Sequence, residues 1–232
     1  MKKSALYILL IVIGYWLSSY EINMYYALIL VFLIQSKKMI KSLMRKLTGN
    51  DLFEGDCSLF KKHLNDCKVY GEYGMGQSTL WVFQNTDSKI LAVDTSQDWV
   101  NKIKSKINSD SRVKINWVNL GKIGRWGRPK SYIKRKFIYD YLDFLWKDDM
   151  KPDIVLVDGR FRVACFLYSL LNGKPGTKIF FDDYTNRPYY HVVEEYLKPI
   201  ETSGRQALFL IPEGLDYNKI KLTMEHFVHV MD

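Results

Sequence analysis

Two unbroken apolar runs, ALYILLIVIGYWL over residues 5–17 and MYYALILVFLI over residues 24–34, open the chain, separated by a short stretch that holds Ser18, Ser19, Glu21 and Asn23. Neither run alone reaches the roughly 20 residues that a helix needs to cross a hydrocarbon core. Three arrangements fit: a helical hairpin entering from one side, one span beside an interfacial segment, or a single tilted span that hides Glu21 and Asn23. Charge favours the hairpin. Lys2 and Lys3 precede the first run, and Lys37, Lys38, Lys41, Arg45 and Lys46 follow the second, which puts both ends on the cytoplasmic side of a membrane. The bulky WLSSY stretch offers no small-residue cleavage site, which argues against a removed signal peptide. A pair of core helices is the remaining alternative. The expectation is a membrane anchor with a basic tail at 1–46 and a domain at 47–232 on the cytoplasmic face.

Beyond the Gly49-Asn50-Asp51 break the pattern changes to short apolar runs alternating with helical periodicity. Strands are expected at 68–73, 90–93, 113–118, 154–157 and 178–181. Helices are expected at 78–84, 97–107, 133–146, 162–171 and 190–197. Two closing strands near 207–211 and 227–230 would form an antiparallel hairpin at one edge. Strict strand and helix alternation predicts an α/β fold, a Rossmann-like doubly wound and mostly parallel sheet covered on both faces. Ligands in such sheets bind beyond the carboxyl ends of the strands, so the residues just after each strand carry the chemistry.

Composition narrows this little. At 47% hydrophobic and 25% charged, the 232-residue chain is too apolar to be disordered. Its three cysteines, Cys57, Cys67 and Cys165, show no C-x-x-C spacing, which excludes a disulfide framework and fits a reducing compartment. The net charge of +9 is uneven: residues 121–136 hold Lys122, Arg125, Arg128, Lys130, Lys134, Arg135 and Lys136 with no acid among them. Such a patch suits an anionic ligand, a phospholipid surface or nucleic acid, or is a solvated loop.

The first strand of the domain runs into Glu72-Tyr73-Gly74-Met75-Gly76-Gln77-Ser78-Thr79. Gly74 and Gly76 permit a tight bend and close approach of a ligand, and Ser78 or Thr79 can cap the next helix. The second strand ends in Asp94, where a carboxylate can accept both hydroxyls of a ribose. Thr79 stands where a dinucleotide fingerprint has its third glycine, which weakens a nicotinamide reading. Here the sequence resembles the class I S-adenosylmethionine-dependent methyltransferases, whose first motif is an acid followed by G-x-G and whose second strand ends in a ribose-binding acid. The resemblance covers about residues 69–197. It implies that Glu72, Gly74, Gly76 and Ser78 surround the methionine part of the cofactor, with Asp94 at the ribose and Asn119 near the adenine.

The fourth strand ends in Asp158 and the fifth in Asp182 and Asp183. Adjacent parallel strands would bring these carboxylates to one rim, where mutual repulsion calls for a cation or a shared proton, and oxygen-only ligands suit Mg2+. The arrangement looks like that of metal-dependent sugar and macrolide O-methyltransferases, in which an Asp-Gly-Asp and an Asp-Asp supply metal ligands and a base. Here the triplet is Asp158-Gly159-Arg160, with arginine in place of the second acid. Arg160 and Arg162 can instead bind an anionic substrate, with His191 or Tyr184 as a substitute base. The loop from Gly121 to Pro129 interleaves Arg125, Trp126 and Arg128 with glycine, which suits a charged sugar or lipid-linked sugar by stacking and ion pairing. No RNA-binding motif accompanies it. The expected activity is S-adenosylmethionine-dependent, metal-assisted O-methylation of a sugar, glycan or lipid-linked acceptor. The alternative is a non-catalytic cofactor- or glycan-binding protein on the same fold.

Overall fold

A computed structural model describes residues 52–53 and 56–232. The apolar runs at 5–17 and 24–34 and the basic stretch after them lie outside the described residues. No helix among the described residues is long and apolar enough to cross a membrane.

Seven strands form one sheet in the order β3-β2-β1-β4-β5-β7-β6. They are β1 (Val69–Tyr73), β2 (Lys89–Asp94), β3 (Val113–Trp117), β4 (Ile154–Val157), β5 (Lys178–Phe181), β6 (Glu201–Ser203) and β7 (Gln206–Leu210). The first five are parallel, and β7 runs antiparallel to both β5 and β6. The fold is therefore α/β, Rossmann-like and mostly parallel. Strand order reverses between β1 and β4, which opens a crevice at their carboxyl ends. Register aligns those ends: Tyr73 lies beside Val93 and Val157, and Val157 beside Phe181. Whatever follows Tyr73, Val93, Val157 and Phe181 in the chain thus arrives at one rim.

The central strands are buried along nearly their whole length because both faces are covered. Tyr70, Ile90, Leu156 and Phe180 point into a core closed by α1 (Ser58–Leu64), α2 (Gln77–Asn85) and α3 (Gln97–Ile107). Tyr73, Val93, Val157 and Phe181 point into the other, closed by α4 (Ile138–Asp143), α5 (Arg162–Asn172) and α6 (Tyr217–Phe227). Helix α3 spans the expected 97–107, with Ser96 Oγ accepting from Trp99 N–H at its start and Asn108 in the left-handed region at its end.

Three expectations need correction. The helix expected at 133–146 is broken into a 3-10 turn at Arg135–Phe137, the short α4, and a 3-10 turn at Phe144–Trp146. The Tyr73 hydroxyl donates to the Leu142 carbonyl at 2.5 Å, and Trp146 Nε1–H donates to Tyr73 Oη at 2.9 Å. Docking onto β1 therefore takes precedence over a regular α ladder. The helix expected at 190–197 is a 3-10 helix at Pro188–Glu195, entered through a proline whose ring supplies the first turn. The strand expected at 227–230 does not exist. Phe227 ends α6, whose Ile220 and Met224 recur at helical spacing and whose start is capped by Asp216 Oδ1 accepting from Lys219 N–H at 3.0 Å. The closing hairpin is made by β6 and β7 instead, across Gly204 and Arg205.

Candidate cofactor and acceptor site

The two glycines of the bend after β1 serve different ends. Gly74 has φ +90°, and a Cβ there would sit 2.6 Å from the Gly159 Cα, so the backbones at the ends of β1 and β4 touch and neither residue tolerates a side chain. Gly76 has ordinary extended backbone, and a Cβ there would meet nothing within 4 Å. The protein's own packing does not require glycine at this position; open space lies beside its main chain.

Glu72 is fully buried, and both of its oxygens are taken: Ser78 Oγ–H donates to Oε1 and Thr79 Oγ1–H to Oε2 at 2.6 Å. Thr79 Oγ1 also accepts from Gly76 N–H at 3.0 Å. Glu72 thus anchors the start of α2 through its first-turn hydroxyls. Burial pushes its carboxyl up to about 8, against the two hydroxyl donors, which hold it down. Asp94 reaches back from β2, with Oδ2 accepting from Met75 N–H at 2.8 Å and Oδ1 from Ser96 N–H at 2.6 Å. Burial raises its pKa and these backbone bonds oppose the rise. A carboxylate at a strand end, beside an open glycine main chain, fits the ribose and amino-acid parts of a nucleoside cofactor. Asn119 is exposed after β3 and closes its own turn by accepting from Gly121 N–H at 3.0 Å.

On the other half of the rim, oxygens of Asp158, Asp182 and Asp183 lie within 4.8 Å of one another, as the strand ends predict. Guanidinium groups hold all three. Arg162 pairs with Asp158 at 3.0 Å and Asp183 at 3.2 Å, Arg187 with Asp183 at 2.7 Å, and Arg205 with Asp182 at 2.8 Å and Asp183 at 3.1 Å. Three negative charges already face three positive ones, and a divalent ion would have to compete with guanidinium contacts at Asp182 and Asp183, while Asp158 is paired through Oδ1 alone. The donor set does not fit a metal. Burial lifts the Asp158 carboxyl, Arg162 opposes the lift, and repulsion from Asp182 and Asp183 adds to it.

Arg162, expected at the acceptor, is instead buried, and it also donates to the carbonyls of Gly159 at 3.0 Å and Asp182 at 2.7 Å. Tyr184 is buried as well, its hydroxyl donating to Glu194 at 2.8 Å and its ring against Phe181 and Phe209. His191 stacks on Tyr184 and its Nε2 lies 3.2 Å from the Tyr184 carbonyl. None of these three lines the basic cavity described next.

That cavity, of about 1010 Å³, is walled by Arg125, Trp126, Arg128, Lys130, Tyr132 and Arg160, with residues 229–232 along one side. The loop reaches Asp94 through Gly127, whose carbonyl accepts from Thr95 Oγ1–H at 2.7 Å. Trp126, Phe161 and Asp183, all at this rim, hold left-handed backbone at φ +60°, +55° and +59°. Such conformations cost about 1 to 3 kcal/mol each outside glycine and concentrate at working sites.

With this geometry, the chain is similar to a solved methyltransferase-like protein from Silicibacter pomeroyi, at 29% identity over 74% of this chain and 92% of that one, with a TM-score of 0.66. The described domain has a methyltransferase fold. Fainter likenesses are to the N-methyltransferase NodS of Bradyrhizobium japonicum with S-adenosyl-L-homocysteine (13% identity, 75% and 98% covered, TM-score 0.43) and to an RNA methyltransferase of Salinibacter ruber with the same ligand (14%, 67% and 88%, 0.41); these carry no argument. No protein-family model and no curated protein matches the chain.

Several residues of the rim escape sequence reasoning. Arg187 and Arg205 follow no motif and arrive from a 3-10 entry and a hairpin turn. Tyr132, His229 and Asp232 belong to one cavity although 97 residues separate Tyr132 from its hydrogen-bond partner, the His229 carbonyl. Arg125, Trp126, Arg128 and Arg160 were legible, the first three from the glycine-rich basic loop and the last from its place after β4.

Proposed function

We propose that the chain is a membrane-anchored, S-adenosylmethionine-dependent methyltransferase that methylates an oxygen of an anionic or hydroxyl-rich acceptor, such as a sugar, glycan or lipid-linked sugar, on the cytoplasmic membrane face. The observation that carries it is the strand register: the open main chain at Gly76 and the carboxylate of Asp94 follow adjacent strands, and Arg160, on the wall of the basic cavity, follows the strand on the other side of β1. When bound, the cofactor's sulfonium supplies a methyl carbon open to attack by an acceptor oxygen. Asp94 would hold the ribose hydroxyls, the Gly74–Gly76 bend and Ser78 would flank the amino-acid part, and Asn119 would stand near the adenine. Arg125, Arg128 and Arg160 would orient an anionic acceptor, Trp126 would stack on a sugar ring, and the strapped loop would exclude water. The metal of the sequence expectation has no part, because arginines neutralise its ligands. Nucleic acid is the less favoured partner.

The apolar runs at 5–17 and 24–34 support the anchor, and the full chain should remain in the membrane pellet after alkaline carbonate extraction; release into the supernatant would remove this element. For the cofactor, calorimetry with S-adenosylhomocysteine should give saturable heat in the wild type and at least tenfold weaker binding in Asp94→Ala. Absence of heat in the wild type would refute the reading. A second reading, cofactor binding without turnover, is favoured by one observation: Asp232 stands inside the cavity. Labelled methyl groups appearing on any glycan or lipid extract would exclude it.

A further inference from the structure

The start of α5 is bound by a carboxylate of the chain itself. Arg162 N–H, the first of the helix, lies 3.3 Å from both side-chain oxygens of Asp232. Tyr190, almost fully buried, turns its hydroxyl to the same side chain, and Arg160 Nη1–H donates to the Asp232 main-chain oxygen. The Arg160 Nε–H is buried and has no hydrogen-bond partner among the described residues. Arg160 and the first N–H of α5 lie two residues apart after β4, Tyr190 joins them from the 3-10 helix, and they converge on Asp232, which lines the basic cavity. Arg125, Arg128 and Lys130 add positive charge above them. Residues 228–232 reach the site directly from α6: Val228 is buried in the core and Met231 packs against it, the Tyr132 hydroxyl donates to the His229 carbonyl at 3.0 Å, and Val230 is exposed. Three donor types convergent on a compact anion, with an unspent guanidinium N–H beside them, form a recognition site rather than a packing contact.

We propose that Arg160, the first N–H of α5 and Tyr190 form the acceptor's anion site, selective for a carboxylate or phosphate monoester, and that the Asp232 carboxylate fills it until such a group displaces that side chain. What the site is used for rests on the methyltransferase reading; its existence does not. Sequence reading puts Arg160 at an anionic acceptor but not Asp232 beside it, because the two are 72 residues apart and no spacing links them.

The test uses the full chain in detergent, with inorganic phosphate as the probe and thermal stabilisation and hydrogen exchange of residues 228–232 as readouts. A site occupied about nine-tenths of the time by its own tail binds an outside ligand about tenfold more weakly than an open one. Asp232→Asn should therefore lower the phosphate concentration for half-maximal stabilisation about tenfold. Arg160→Gln should raise it at least about fivefold and speed tail exchange without phosphate. In the wild type, phosphate should speed tail exchange; if only phosphatidate vesicles do so, the anion is a lipid headgroup. Equal phosphate response in wild type, Asp232→Asn and Arg160→Gln, with tail exchange unchanged by either probe, would overturn the proposal. S-adenosylhomocysteine stabilisation is recorded on the same samples: its loss alongside an intact Asp232→Asn effect sinks the methyltransferase reading and leaves the anion site standing.

Discussion

Two halves of one sheet edge carry buried carboxylates, and they satisfy them by opposite means. On the β1/β2 half, Glu72 and Asp94 take hydrogen bonds only from hydroxyls and backbone N–H groups. On the β4/β5 half, Asp158, Asp182 and Asp183 are tied to three guanidinium groups. Neutral donors leave charge uncompensated and can be exchanged for the hydroxyls of a ligand at small cost. Charge pairs are closed: breaking one buried partner away leaves an unmatched ion and costs about 3 to 5 kcal/mol. The same residue type at equivalent strand ends is thus open to a ligand on one side and spent on architecture on the other.

Removing the centre of the closed half gives the largest expected effect. Arg162→Met should destabilise the domain by about 3 to 5 kcal/mol in urea unfolding, because Asp158 and Asp183 lose a buried partner. A chelator should leave the wild-type melting temperature unchanged; a drop restored by Mg2+ would mean that the cluster holds metal after all. Next comes the pair of glycines. Gly74→Ala should cost about 3 kcal/mol through positive φ and the clash with Gly159. Gly76→Ala should cost no more than about 1 kcal/mol yet weaken S-adenosylhomocysteine binding, and equal stability losses at the two positions would erase the distinction drawn between them.

The last expectation is a slope with pH. Glu72 is raised from 4.5 to about 8 in the folded protein, so between these values the folded state binds a proton that the unfolded state has lost. The stabilisation is complete below about 4.5, falls as pH rises through 8, and is gone above it. The decline is of order 1 kcal/mol per pH unit across that window. Unfolding curves from pH 5 to 8 should show it, and Glu72→Gln should flatten it. An unaltered slope in the variant would assign the titration to another group.

Much of this edge was legible in the chain. Alternating apolar runs located β1 to β5 to within a residue or two, and the residues after them, Gly74, Asp94, Asp158 and Asp182, are set on one rim by nothing more than parallel pairing. The Ile220 and Met224 spacing of α6 was also present, but the apolar residues at its end read as a strand. The metal expectation followed from three acids viewed without partners, and the fourth and fifth strands alone do not reveal that a hairpin turn brings Arg205 and a 3-10 entry brings Arg187 to them.

The sequence by itself determined the parallel sheet, the glycine bend and the strand-end acids, since these depend on local periodicity and on residues a few places apart. Only the tertiary structure decided which acids face arginine, which glycine is needed for packing, and that Asp232 enters the cavity. Those outcomes turn on contacts between segments tens of residues apart, whose energy appears only when the intervening chain has folded and water has been excluded from between them.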